Sequence, residues 1–267
     1  MLARALISLM SWVLVLGVVA CGGSDDQPEA SESTSTPDTA SAAWDLLYIQ
    51  DSGGARVAEL YAERARQSLG VEINVHNNAI ANLSAITILE NMRGASGTWP
   101  DLVREAEIIV LFGSPVESGA TSDLAICRST STEPREPPTH NSAEDWQPYR
   151  DALNEIYAEI WKLRAGEPVI LRAVDDGNPV ISDWREAGIE PECTMALEAM
   201  NQTIREAAEA NGATLVSTYD LFNGADHQED PREKGYIGSD GIHTTIEGAT
   251  AIADALAAAG YEPTTGP

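Results

Sequence analysis

Trp44-Asp45-Leu46-Leu47-Tyr48-Ile49-Gln50-Asp51-Ser52-Gly53-Gly54 sets the fold of this chain. Its first seven residues are a short apolar run that suits a buried strand. The next four are turn formers. Ala55–Leu69 follows with helical spacing at Val57, Leu60, Tyr61 and Ala65, and Gly70 stops it. The order strand, tight turn, helix then repeats along the chain.

Downstream, Val71–His76 alternates with period two, as a strand does. Ser84–Met92 and Pro100–Ala106 read as helices, and Ile108–Phe112 reads as a buried strand ending at Gly113. Ser114–Glu144 is polar and Pro-rich and breaks the rhythm, as functional or disordered segments of that length do. Asp145–Ala165 predicts a helix, Pro168–Ala173 a strand and Val174–Pro191 an irregular loop. A helix then runs to Ala210. Ala213–Thr218 is the last strand, and Tyr219–Ser239 is expected to be loop. Thr244 and Glu247 make a capping-box pattern, so the final helix is expected over Thr244–Ala259. Five strands separated by helices predict an α/β fold, a three-layer α/β/α sandwich on a five-stranded parallel sheet.

The N-terminus belongs to a different class. Arg4 precedes the apolar run Ala5–Ala20, which ends in Val18-Val19-Ala20-Cys21. One positive charge, a short apolar core and a small residue form a secretory signal. Cys directly after Val-Val-Ala resembles a bacterial lipoprotein lipobox. That resemblance implies lipidation of Cys21, export, and a lipid anchor in the cell-envelope membrane. The alternatives are an ordinary cleaved signal or an uncleaved anchor. Gly22–Ala43 is rich in Ser, Thr, Asp, Glu and Pro and reads as a disordered tether. The expected organisation is signal 1–20, tether 21–43 and one domain over 44–262.

The formal net charge is −26. Such a chain repels phosphate backbones, so no nucleic-acid partner is expected, and polyanionic substrates are disfavoured unless a local basic pocket overrides the field. With Cys21 set aside, Cys127 and Cys193 remain as a pair. In an oxidising compartment they are expected to form a disulfide between two irregular segments, the alternative being two buried thiols. No Cys/His ligand spacing is present, and neither cofactor nor metal is expected.

Chemistry concentrates at two places. Ser52 follows a buried strand, where a serine is exposed at a sheet edge; alone, it reads equally as a helix N-cap. Near the other end, Ser239-Asp240-Gly241-Ile242-His243 holds a carboxylate three residues before an imidazole across a Gly turn. Asp240 can fold back onto one ring nitrogen of His243 and leave the other free as a base. His76 lies mid-strand, and His140 and His227 are in loops without a carboxylate at that spacing. A parallel sheet gathers Ser52, Gly113, Asp240 and His243 at the C-terminal ends of its strands.

Tyr48-Ile49-Gln50-Asp51-Ser52 and Asp240-Gly241-Ile242-His243 resemble the first and last blocks of the SGNH, or GDSL-type, hydrolases. The resemblance spans most of Trp44–Tyr261. It implies a flavodoxin-like sheet and a serine esterase with Ser52 as nucleophile, His243 as base and Asp240 as its partner. The implied substrate is a small-molecule, lipid or glycan acyl ester. Three positions depart from the pattern. Gln50 stands where the family has Gly before the Asp. Asn82 occupies the place of an oxyanion-hole Gly, keeping its backbone N–H. Gly113-Ser114-Pro115-Val116 stands where the family reads Gly-x-Asn-Asp, so Pro115 supplies no donor at all. The amide of Asn82 or the hydroxyl of Ser114 is expected to compensate. Two rivals follow: a binding module on the same fold, and a metal site built from Asp226, His227 and Asp230 beside Asp240 and His243.

Overall fold

A computed structural model of the chain describes residues 43–94, 97–115, 124–131, 133, 136–139 and 142–267. Cys21, the expected signal segment and nearly all of the tether lie outside the described residues, as does His140. Strand β1 (Ala43–Gln50) sits between β2 (Glu72–Ala79) and β3 (Ile108–Leu111). Beyond β3 come β4 (Ile170–Val174) and β5 (Thr214–Val216), giving the order β2-β1-β3-β4-β5 with every pairing parallel. In register, Ile49 lies opposite Asn78 on one side and Leu111 on the other. A sheet buried on both faces needs continuously apolar strands. Leu46–Ile49 are all 0% exposed and Ile108–Leu111 at most 2%.

Helices α1 (Val57–Leu69), α2 (Ala85–Arg93), α3 (Trp99–Glu105), α4 (Gln147–Arg164), α5 (Ile181–Ala187), α6 (Glu190–Ala210), α7 (Thr218–Asn223) and α8 (Ile246–Ala258) flank the sheet. They fall into two packed groups, α1 with α8 and α7, and α4 with α2, α3 and α6, with α5 packed on α6. Arg164 at the end of α4 fastens this second group. Its guanidinium donates to the carbonyls of Arg104 at 2.5 Å, Ala106 at 2.8 Å and Pro168 at 2.8 Å. Those include carbonyls that the end of α3 leaves without a helical partner.

The chain direction across the sheet decides where chemistry can sit. From β1 it crosses to β2 on one side, then returns past β1 to β3 on the other. Connections that diverge like this open a crevice at the C-terminal ends of β1 and β3.

Several expected boundaries differ. Strand β2 runs to Ala79, three residues past His76. Strand β5 stops at Val216, because Ser217 caps α7 by accepting the Asp220 N–H at 3.1 Å. Helix α5 lies within the expected Val174–Pro191 loop and ends at Gly188, whose φ of 72° is left-handed. Helix α8 starts at Ile246, not Thr244. Thr245 is its cap, accepting the Gly248 N–H at 3.1 Å, while Thr244 forms a bridge to Ile237. Cys127 and Cys193 are not in irregular segments: one ends a helical turn at 124–127 and the other lies in the first turn of α6.

Candidate active site

Ser52 opens a 3-10 turn, Ser52–Gly54, at the end of β1, and α1 begins only at Val57. The residue preceding α1 is Arg56, so Ser52 is not the helix cap that its neighbourhood suggested. The turn packs closely. A Cβ on Gly54 would lie 1.6 Å from Gln50 Oε1, so glycine is required there for the Gln50 side chain to pass beneath it.

Across the crevice, residues 240–243 form a compact turn. Asp240 Oδ1 accepts the N–H groups of Ile242 and His243, both at 3.0 Å. Its Oδ2 meets His243 Nδ1 at 2.7 Å. The Ile242 N–H, the His243 ring and the His243 N–H together hold the Asp240 carboxyl down at about 2. Gly241 takes a φ of 80°, which lets the carboxylate fold back within three residues. The other ring nitrogen, His243 Nε2, lies 3.3 Å from Ser52 Oγ. The structure therefore brings Ser52, His243 and Asp240 into one hydrogen-bonded line. Both the imidazole and the carboxylate are about half exposed, at 53% and 54%.

The turn is clamped from outside. Arg232 makes a two-pronged bond to Asp183, at 2.8 and 2.7 Å, and donates to Gly241 O at 3.2 Å. Behind it, a Cβ on Gly248 would stand 2.3 Å from Tyr236 O, so glycine lets α8 approach the strand-like segment leading into the turn.

The remaining expected residues divide. Asn82 lines a cavity of about 280 Å³ together with Ser52 and His243. Its φ of 57° is left-handed, a conformation that glycine adopts freely and Asn tolerates. Ser114 does not join them. It is 1% exposed, bonded through its backbone to Leu83 and Ala85, and it faces a separate small cavity with Ser84 and Tyr149. The expectation that its hydroxyl serves Ser52 is therefore corrected: its backbone pairs with the α2 entrance and turns the side chain elsewhere. The metal-site rival also comes apart. His227 stacks on Tyr219 and pairs with Asp220 at 2.7 Å, while Asp230 bonds Ser182 and the Arg232 N–H. Among the described residues no three His, Cys, Asp or Glu side chains converge to hold a metal.

Sequence reasoning missed most of the cavity wall. Phe112, Leu124, Val180, Trp184, Leu197 and Phe222 supply its apolar surface. Arg128, Asp176 and Asn178 supply polar groups. Burial works against the Arg128 charge, yet the Asp176 carboxylate beside it, with Asp51 farther off, holds the guanidinium above its ordinary value. Asp175 is buried under four donors from Ser217, Thr218 and Tyr219; desolvation still raises its carboxyl above the usual range. Cys127 and Cys193 are joined by a disulfide that ties the 124–127 turn to α6. The Trp184 indole N–H donates to the Cys127 carbonyl, locking the same turn from a second direction. Gln50 was noted only as a departure. Its Oε1 accepts from the buried Tyr48 hydroxyl, and the residue lines the cavity beside Ser52.

No family model and no curated protein sequence matches the chain. Solved structures do match in fold. A lipase, Lip_vut3, from a goat rumen metagenome superposes with a TM-score of 0.62 at 18% identity, covering 82% of this chain and 98% of its own. TesA superposes at 0.50 with 14% identity, covering 80% of this chain and 97% of its own. A G-D-S-L family protein from Desulfitobacterium hafniense DCB-2 superposes at 0.50 with 9% identity, over 80% of this chain and 98% of its own. The parallel sheet, its strand order and these likenesses agree: the chain has the SGNH hydrolase fold found in GDSL-type lipases and esterases.

Proposed function

We propose that this protein is a serine ester hydrolase acting through Ser52, His243 and Asp240. The observation that carries the reading is the continuous line Ser52 Oγ, His243 Nε2, His243 Nδ1, Asp240 Oδ2 at the C-terminal edge of a parallel sheet. His243 Nε2 takes the Ser52 proton as Oγ attacks the ester carbonyl carbon. The carbonyl π electrons move to oxygen. As that oxyanion collapses, the bond to the alcohol oxygen breaks and His243 returns its proton to the leaving alcohol. Water then attacks the acyl-serine with His243 again as base, releasing the acid and restoring Ser52. Asp240 stays ionised and keeps the imidazole in the tautomer that leaves Nε2 free.

With Pro115 at the position of the usual side-chain donor, the oxyanion needs another. Asn82, through its backbone N–H and side chain, and Gln50, through its side-chain amide, line the cavity with Ser52 and are the donors assigned to this role. Loss of one such donor typically costs about 2.7–4 kcal/mol, so this replacement sets whether turnover is fast or slow. The same proposal extends the domain's setting to the cell envelope, held by a lipid on Cys21 and the 21–43 tether. Labelling of the protein by radioactive palmitate, absent in Cys21→Ser, is the expected result there.

The test of the enzyme reading is hydrolysis of a p-nitrophenyl acyl ester series by wild type, Ser52→Ala and His243→Ala. Activity lost in both variants is expected. Equal background rates in all three would instead favour a binding module on this fold, a reading that the missing Pro115 donor also motivates.

A further inference from the structure

The cavity beside Ser52 has apolar walls and two sets of unused donors. Asn178, 1% exposed, sits on the loop from β4 to α5. Its Oδ1 accepts the Val180 N–H at 3.0 Å, and a backbone N–H can only donate, so the amide orientation is fixed. Asn178 Nδ2 is buried and has no acceptor among the described residues. A buried donor without a partner is uncommon, because desolvating it is unfavourable unless an acceptor arrives. Arg128 lines the same cavity. Its Nη2 donates to Asp176, the side chain is 35% exposed, and a guanidinium has five N–H donors, so further donors remain for an incoming acceptor. The Arg128 backbone is anchored, since the preceding Cys127 is held by its disulfide and by the Trp184 indole, and Asp176 restrains the guanidinium.

Two clefts meet at Ser52 and His243. One is this cavity; the other is an open groove past Arg56, Asp240 and Glu247. The acyl group stays on Ser52 while the alcohol must leave, so the walled cavity suits the acyl chain and the open groove the alcohol. The charge balance narrows the chemistry further. Arg128 is already paired with Asp176, Asp51 is also near it, and the whole chain carries −26. A second carboxylate would meet a neutralised cation in a negative field.

We infer that Arg128 and Asn178 form a subsite for a neutral acceptor oxygen, so that the preferred substrates are esters whose acyl chain carries a keto or hydroxyl oxygen beyond the ester carbonyl. This rests on the esterase reading above, and names the substrate class of that site.

The full-length protein in detergent is assayed on p-nitrophenyl esters with a ketone at acyl carbon 4, 5 or 6, each beside the plain alkyl ester of equal length. The hemiglutarate ester supplies a terminal carboxylate. At one chain position the oxo ester is expected to show kcat/KM about tenfold or more above its alkyl partner, the size of a hydrogen bond to a charged donor. In Arg128→Met that ratio falls toward one, and Arg128→Lys, which keeps a donor, retains part of it. Equal kcat/KM across every wild-type pair overturns the subsite while leaving the esterase standing. A preference for hemiglutarate overturns the neutral-oxygen assignment. If wild type hydrolyses none of the esters, the esterase reading fails. Calorimetry on Ser52→Ala then decides: tighter binding of an oxo ester upholds the subsite, and equal binding removes it.

Discussion

The turn at 240–243 and the wall at 124–130 both border the Ser52 crevice, and they are built in opposite ways. The turn is half exposed and held mainly by bonds within four residues. The wall is held by distant partners, a disulfide spanning 66 residues and an indole bond spanning 57. The two lie close together, since a Cβ added to Gly241 would stand 3.4 Å from Thr130. Local geometry thus presents the groups proposed to react, and long-range staples shape the cavity beside them.

The sharpest way to break this division is to remove the local half. Ser52→Ala and His243→Ala are each expected to lower kcat by on the order of 10⁶ without shifting the thermal midpoint, because the groups act as a unit and are exposed. A large drop in melting temperature in either variant would mean that the turn is structural as well.

The long-range half fails differently. Closing a loop of 66 residues constrains the unfolded chain by about 4 kcal/mol in the chain-entropy account. Cys127→Ser with Cys193→Ser should therefore lower the denaturation midpoint strongly while retaining measurable hydrolysis. Urea unfolding with and without reductant reads the same difference in the wild type.

Between the two halves lies the proposed oxyanion site. Gln50→Glu keeps an oxygen for the Tyr48 hydroxyl and replaces the Nε2 donor with an acceptor. It is expected to lower kcat about 100- to 1,000-fold with KM little changed, whereas Asn82→Ala, which keeps its backbone N–H, falls less. Full turnover in Gln50→Glu would return the oxyanion to Asn82 alone.

The smallest expected effect is a pH dependence. The Asp240 carboxyl is lowered from 3.8 to about 2. A carboxyl depressed in the folded state adds stability above its unfolded value, and that contribution disappears as pH falls through the folded one. The stability difference between wild type and Asp240→Asn should shrink from pH 3.8 down to 2 and stay flat above it. Because Asp240 stays ionised down to about 2, its protonation should add nothing to the acid limb of activity above that pH.

What could be read from the residues follows the same division. The five strands and their alternation with helices were legible, since apolar runs such as Leu46–Ile49 and Ile108–Leu111 announce burial on both faces. The Asp240-x-x-His243 spacing was legible because its geometry closes within one turn. Errors of one or two residues arose where neighbours compete for one role. Thr244 and Thr245 both suit a cap, and a bridge to Ile237 claims the first. The wall was not legible. Nothing local to Leu124-Ala125-Ile126-Cys127-Arg128 says that Trp184 and Cys193 will hold it, or that Arg128 will meet Asp176. Gln50 was visible only as an oddity, since its role depends on a hydroxyl two residues back and a glycine four residues on.

The Arg232 clamp has a consequence for ionic strength. Asp183 is only 11% exposed in that pair, and close, sheltered charges are screened little by salt. Exposed pairs such as Arg104 with Asp101, at 50% and 67%, lose their attraction readily. A chain at −26 also repels itself, and added salt relieves that repulsion. Concentrated salt should therefore firm the domain as a whole while leaving the Arg232–Asp183 clamp on Gly241 in place, even where surface ion pairing no longer counts.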